Sequence, residues 1–240
     1  MANETSTLSL LIFSCDWFYE KDGRIWSSAI DSSSIRLFGD NFSNVGIVAH
    51  LSGEPPDPSK HIALPAKYHL HPIPWAEGLA QRIPQAWKVL KLARTLSRCY
   101  DVLYTRMFSY PALPAALYCS LFYKGPWFLG LHGDVEESAF AGYASMNRIC
   151  RFIVAKTMGF IARLICRNPK PLFMAGPALG LKYAGLRKDW VSFMDCGIRE
   201  EDIFEEREDT CTSPPYELIY VGDTSRRKGI DILLRAVAKL

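Results

Sequence analysis

Arg226, Arg227 and Lys228 close a short basic loop between the strand pattern Leu218-Ile-Tyr-Val221 and a helical pattern that opens at Gly229. Amide N–H groups at a helix start, with an ammonium beside them, make a seat for a phosphate. A solvated turn before an ordinary helix uses the same residues. His132-Gly133-Asp134 follow the apolar run Trp127-Phe-Leu-Gly-Leu131 directly. That places the imidazole at the end of a buried strand, where the ligands of parallel sheets bind. Asp134 can orient that imidazole or hold an acceptor hydroxyl, and an aspartate beside glycine also serves as a turn former or helix cap. Further upstream, Asp22-Gly23 falls in the loop after the first strand pattern, preceded by Trp17-Phe18-Tyr19. These aromatic side chains either line an acceptor groove or pack in the core. His69 and His71 put two imidazoles on one strand face, with no third ligand near them in sequence, so no metal site is expected there. No G-x-S-x-G, H-E-x-x-H or G-x-x-x-x-G-K-[ST] pattern occurs, which removes the commonest hydrolase and P-loop chemistries.

The elements that must position these residues alternate. Short apolar runs at 8–14, 45–49, 101–105, 126–131, 171–175 and 190–194 read as buried strands. Between them, residues 84–98, 110–123, 147–167 and 179–184 read as helices, and the serine-rich stretch 25–38 as a poor first helix. Residues 52–74 hold six prolines and form a surface excursion with short edge strands at most. Strand and helix in alternation predict a doubly wound, Rossmann-like parallel sheet with helices on both faces. Residues 205–215 are charged and then proline-containing, a linker composition. The expected domains are therefore 1–212 and 213–240, the second holding a single strand and helix, too little to bury a sheet of its own.

Composition narrows the class. The chain has 240 residues, of which 49% are hydrophobic and 22% charged, with 28 Lys and Arg against 25 Asp and Glu. This excludes wholesale disorder and a strongly basic nucleic-acid binder, and it supplies enough apolar material for a core. Seven scattered cysteines without a C-x-x-C pair read as reduced thiols of a cytoplasmic protein. The helical patterns at 84–98 and 147–167 interleave basic and apolar positions, which suits either ordinary amphipathic helices or a peripheral contact with an anionic membrane face.

The block Val221-Gly-Asp-Thr-Ser-Arg-Arg-Lys-Gly-Ile-Asp-Ile-Leu-Leu234 resembles the opening strand-helix unit of the second domain in family 4 glycosyltransferases, whose GT-B fold has two Rossmann-like domains. The resemblance continues upstream in order through Asp101-Val-Leu-Tyr104, Leu131-His-Gly-Asp134, and Asp195-Cys-Gly-Ile198 with Phe204. It implies an enzyme that transfers a sugar from a nucleotide-sugar donor to a hydroxyl acceptor, lipid-linked or polysaccharide among the options, with retention and without a metal or other cofactor. On that resemblance His132 is the catalytic-site histidine beside the sugar. Lys228, with Arg226 and Arg227, neutralises the departing diphosphate, while Gly133, Asp134 and Gly23 contact substrate. Two departures stand out. Asp223 occupies the family's arginine position, and the first loop lacks the usual double glycine. The paired glutamates of the family have no counterpart within 240 residues, so the chain alone is expected to be inactive. A noncatalytic binding or assembly domain of the same origin is the alternative, and a nonhydrolysing epimerase of the same fold a third.

Overall fold

Leucine, isoleucine and valine runs form the central strands, and the chain packs them as one sheet. The computed structural model describes residues 6–28, 35–75, 78–107, 111–143, 146–168, 171–185, 187, 189–193 and 229–238. Two compact units are distinguished, Met1–Gly197 and Ile198–Leu240. In the second, the described element is α7 (Ile230–Val237), which opens after Gly229 in the left-handed conformation. Arg226, Arg227, Lys228 and Asp223, the strand pattern before them and the segment 195–204 lie outside the described residues.

In the first unit the strands are β1 (Ser6–Lys21), β2 (Arg24–Ser28), β3 (Phe42–Leu51), β4 (His61–Ala63), β5 (Tyr68–Ile73), β6 (Val102–Met107), β7 (Trp127–Leu131), β8 (Leu172–Ala175) and β9 (Trp190–Phe193). Seven of them are mutually parallel in the spatial order β5-β3-β1-β6-β7-β8-β9. Counted along the chain this is 3-2-1-4-5-6-7, the doubly wound order, with its reversal of direction between β1 and β6. The expected fold class is therefore the observed one.

Alternation along the strands splits the core into two layers. Leu11, Phe13, Leu103, Met107, Leu129, Leu131, Leu172 and Met174 point to one face. There they meet α2 (Gly78–Leu96), α3 (Ala112–Phe122), the start of α4 (Val135–Gly142) and α5 (Arg148–Ile165) through residues such as Val89, Ala93, Ala115, Ala162 and Ile165. Leu10, Ile12, Val45, Ile47, Tyr104 and Phe128 point to the other face, against Ile35 and Phe38 of α1, residues 35–39. A short α6 (Pro177–Leu179) and a π-helical turn (Gly180–Ala184) join β8 to β9.

Three sequence readings shift. First, β1 runs seven residues past Ser14, because Asp22 and Gly23, at φ 52° and 68°, form a two-residue turn that folds β2 back antiparallel. A turn with both central residues at positive φ matches the right-handed twist of strands, so the stretch expected to be helical begins as a hairpin arm. Second, α2 starts at Gly78 and carries Pro84 in its interior instead of at its start. Third, β5 is a full parallel strand on β3, with Pro72 inside it; it is an edge strand, where proline removes no ladder bond that the sheet needs. Among the described residues no helix is long and apolar enough to cross a membrane.

Candidate functional site

The carboxyl ends of β1, β6 and β7 meet at the topological reversal, and three groups of side chains converge there. At its centre Arg106 of β6 donates through Nη1 to Asp16 of β1 at 2.5 Å, and Ser14 Oγ donates to the same Oδ2. Both charged side chains are largely buried, at 14% and 9% exposure. On the opposite face of β6, between Leu103 and Met107, the hydroxyl of Thr105 is buried without a hydrogen-bond partner among the described residues, which costs on the order of 1–3 kcal/mol.

The second group follows β7. Gly130 has no side chain because none fits: a Cβ there would lie 2.5 Å from Tyr104 Oη and 3.0 Å from His132 Nε2. The vacancy lets those two side chains meet across the backbone, with Tyr104 Oη and His132 Nε2 at 3.0 Å. The His132 ring also takes the edge of Phe193 at 5.0 Å, and its own amide donates to Met107 O. The imidazole is thus fixed at the sheet's end by a hydroxyl, an aromatic edge and a backbone tie. Gly133 next to it has open space where a side chain would stand.

Asp134 caps α4. Its Oδ1 accepts from the amides of Glu136 and Glu137 and from Tyr183 Oη, and its Oδ2 accepts from Lys182 Nζ at 2.6 Å. The α4 N-terminus therefore already holds a carboxylate, and its first amides are taken. Glu136, in the first turn of the helix, accepts from Lys156 Nζ at 2.7 Å and Arg163 Nη2 at 2.6 Å. Its seat is Gly159 of α5, where any Cβ would collide with the Glu136 side chain. Lys156, Gly159 and Arg163 share one helix face by their spacing of three and four. Hydrogen bonding to Lys156, against the effect of burial and with help from Arg163, holds the Glu136 carboxyl below its ordinary range. Burial works to raise Asp134, but the bonds from Lys182, the Glu137 amide and Tyr183 prevail and hold it low as well. Burial, with its bond to Asp134, pushes the Tyr183 phenol upward.

The third group is aromatic. Trp17 of β1, His50 of β3 and Trp75 just beyond β5 form a triangle of rings with centroids 4.9–5.3 Å apart. His50 is buried, whereas Trp17 and Trp75 remain 39% and 46% exposed. Gln85 of α2 donates to Trp75 O and fixes that end of the rim. Of the aromatic run singled out in the sequence, Phe18 is core, Tyr19 packs on His61, and Trp17 alone faces this rim.

His132, Gly133 and Asp134 are thus brought together, with Asp134 acting as a cap and clamp. Gly23 sits at the hairpin tip and lines a separate cavity of about 650 Å³ with Arg24, Ile25, Tyr68 and His69. Among the described residues no three metal-ligating side chains gather.

No family model matches the chain, and no curated protein matches it in sequence. Solved structures that align with it include a candidate UDP-N-acetylglucosamine 2-epimerase from Listeria monocytogenes, at 7% identity and a TM-score of 0.43 over 77% of this chain and 43% of that one. The S. aureus MnaA–UDP structure aligns at 10% identity and 0.40, with the same coverage. Sucrose-phosphate synthase from Thermosynechococcus elongatus aligns at 8% identity and 0.42, over 81% of this chain and 91% of that one. The chain spans less than half the length of the first two.

Sequence reasoning missed Asp16, Arg106, Tyr104, Trp75, Glu136, Lys182 and Tyr183. For Glu136 a signal existed: the spacing Lys156-x-x-Gly159-x-x-x-Arg163 makes a two-cation seat with a glycine floor on one helix face. The others depend on strand order, which no local pattern encodes. Together the three groups give a fixed imidazole, a buried ion pair and two half-exposed indoles. That set can hydrogen-bond and stack on a polyhydroxylated ring.

Proposed function

We propose that the chain is the acceptor-side domain of a GT-B glycosyltransferase akin to family 4, residues 1–212, followed by the first strand-helix unit of the donor side, residues 213–240. The observation that carries this reading is the seating of His132 at the carboxyl end of β7, one strand from the reversal of the sheet order. A nucleotide-sugar donor would lie with its sugar against His132 and Gly133, where the backbone leaves room. Its diphosphate would meet Lys228, Arg226 and Arg227. The α4 N-terminus already holds Asp134, and the resemblance assigns the cations to the basic loop. The hydroxyl acceptor would enter past Asp16, Trp17 and Trp75, and Gly23 would act through the position of the hairpin. In the transfer the acceptor oxygen bonds to the anomeric carbon with retention, the bond to the diphosphate breaks, and the acceptor proton is released. The chemistry uses side-chain cations in place of a metal. The setting is the cytoplasm.

The test is nucleoside diphosphate release from a panel of nucleotide sugars by the protein purified from its natural source. His132→Ala in the same polypeptide should lower turnover at least a hundredfold with the fold intact. Release unchanged by that substitution overturns the role of His132. The noncatalytic alternative is favoured by two departures, Asp223 in place of the arginine beside a phosphate seat and the missing double glycine in the first loop. It predicts that Lys228→Ala leaves partner binding intact and that no nucleotide sugar is consumed.

A further inference from the structure

An imidazole has two nitrogens, and which of them carries the proton is set by the bond that the other one makes. For His132 that bond is to Tyr104, whose hydroxyl lies 3.0 Å from Nε2. Both rings are held in place. Tyr104 is 1% exposed, stacked on Phe128 with ring centroids 4.6 Å apart and tilted against Phe38 at 4.8 Å. His132 is half-buried, with the edge contact to Phe193 on its ring and its amide on Met107 O. Gly130 supplies the gap in which the two side chains meet, since a Cβ there would come within 2.5 Å of Tyr104 Oη.

The direction of the bond follows from the chemistry of the two groups. A phenol is a stronger acid than the N–H of a neutral imidazole, and a bare imidazole nitrogen is a stronger base than a phenol oxygen. The shared proton therefore stays on Tyr104 and Nε2 accepts it, which leaves the ring's own proton on Nδ1. Free histidine favours the opposite tautomer, so the Tyr104 hydroxyl selects a form that the side chain would not adopt by default.

We propose that Tyr104 is a positioning residue, whose hydroxyl donates to His132 Nε2 and fixes the imidazole as its Nδ1–H tautomer, so that the ring serves its ligand as a hydrogen-bond donor. A donor of this kind suits an oxygen of a hydroxylated ring. With Nε2 occupied by the phenol, that nitrogen does not take a proton from the ligand, and His132 holds and orients in place of acting as a general base through Nε2. Tyr104 itself contributes through the histidine, from inside the core. What the Nδ1–H meets rests on the sugar-transfer reading, whereas the tautomer itself does not, so either can fail alone.

The experiment is nitrogen-15 NMR of the full chain carrying labelled histidine, in alkaline buffer, where the couplings from the ring nitrogens to the ring carbon-bound protons tell the two tautomers apart. The chain has 5 histidines, and the signals of His132 are those that vanish in His132→Ala. The native protein should show a protonated Nδ1 and a bare Nε2 at His132. Tyr104→Phe, which keeps the ring on Phe128 and removes one oxygen, should turn this into a mixture of both tautomers. A protonated Nε2 in the native chain overturns the proposal, and so does an Nδ1–H form that persists unchanged in Tyr104→Phe. Should the variant not fold, the native spectrum decides alone. With a nucleotide sugar that the protein consumes, Tyr104→Phe should lower turnover about tenfold, the scale on which partners that orient an imidazole act. Turnover lost in His132→Ala and kept in full by Tyr104→Phe overturns the positioning role. Where no nucleotide sugar is consumed, the sugar-transfer reading fails, and the spectrum still decides the tautomer.

Discussion

The two sides of the crevice are built on opposite principles. On the β7 side His132, Asp134 and Glu136 sit among Tyr104, Lys182, Tyr183, Lys156 and Arg163, and both carboxylates are ringed by donors. On the β1 side Trp17 and Trp75 leave much of their rings in solvent. A saturated network has little left to offer a ligand and fixes its members in place. Open indoles bury little on their own and gain when something binds. The β7 side therefore orients, and the β1 side recognises.

Substitutions should separate these roles, beginning with the largest loss. Glu136→Ala removes the anion shared by Lys156 and Arg163. Breaking a buried pair costs about 3–5 kcal/mol, and the partial exposure of both cations brings the expected loss to about 2 kcal/mol by denaturant unfolding. Gly130→Ala forces Tyr104 and His132 apart and should cost about 1–3 kcal/mol, the range for overpacking, with loss of the His132 site. Asp134→Ala uncaps α4 for about 1 kcal/mol, whereas Asp134→Asn keeps an acceptor for the amides and should lose less. Trp75→Ala on the other side should cost under about 1 kcal/mol in stability, since the ring is half-exposed, while weakening saccharide binding at least tenfold in a direct titration. Equal stability costs on both sides would abolish the distinction.

Acidification sharpens it further. The folded Glu136 carboxyl lies below its ordinary value of 4.5, so its contribution to stability is complete above that value and is lost as the pH falls through the lower, folded one. The unfolding free energies of the native chain and of Glu136→Gln should therefore differ most at neutral pH and converge below pH 4.5, as thermal melts across an acid series would show.

Strands β3, β6, β7 and β8 were legible because a strand inside a parallel sheet is a largely apolar run, as Val45-Gly-Ile-Val-Ala49 is, while β9, half-exposed at the sheet's edge, was legible as a short apolar run. The helix α5 was legible from its interleaved basic and apolar residues and α3 from the proline at its start. The length of β1 was not: residues 15–21 read as loop because their apolar side chains follow no period, and only the positive φ values at Asp22 and Gly23 reveal a hairpin. In the site His132 could be placed from the strand before it. Asp16 and Arg106, ninety residues apart, become neighbours only through the pairing of β1 with β6.

That pairing also sets a timetable. Leu10 to Phe13 occupy the middle of the sheet, flanked by β3 on one side and β6 on the other, and Ser9 is tied to Asp101 across 92 residues of chain. A ribosome extrudes the N-terminal strand long before β6 exists, so its most apolar segment must wait with one edge open. Production of this chain should accordingly depend on elongation speed and on chaperones that shield nascent segments, more than its finished stability would suggest.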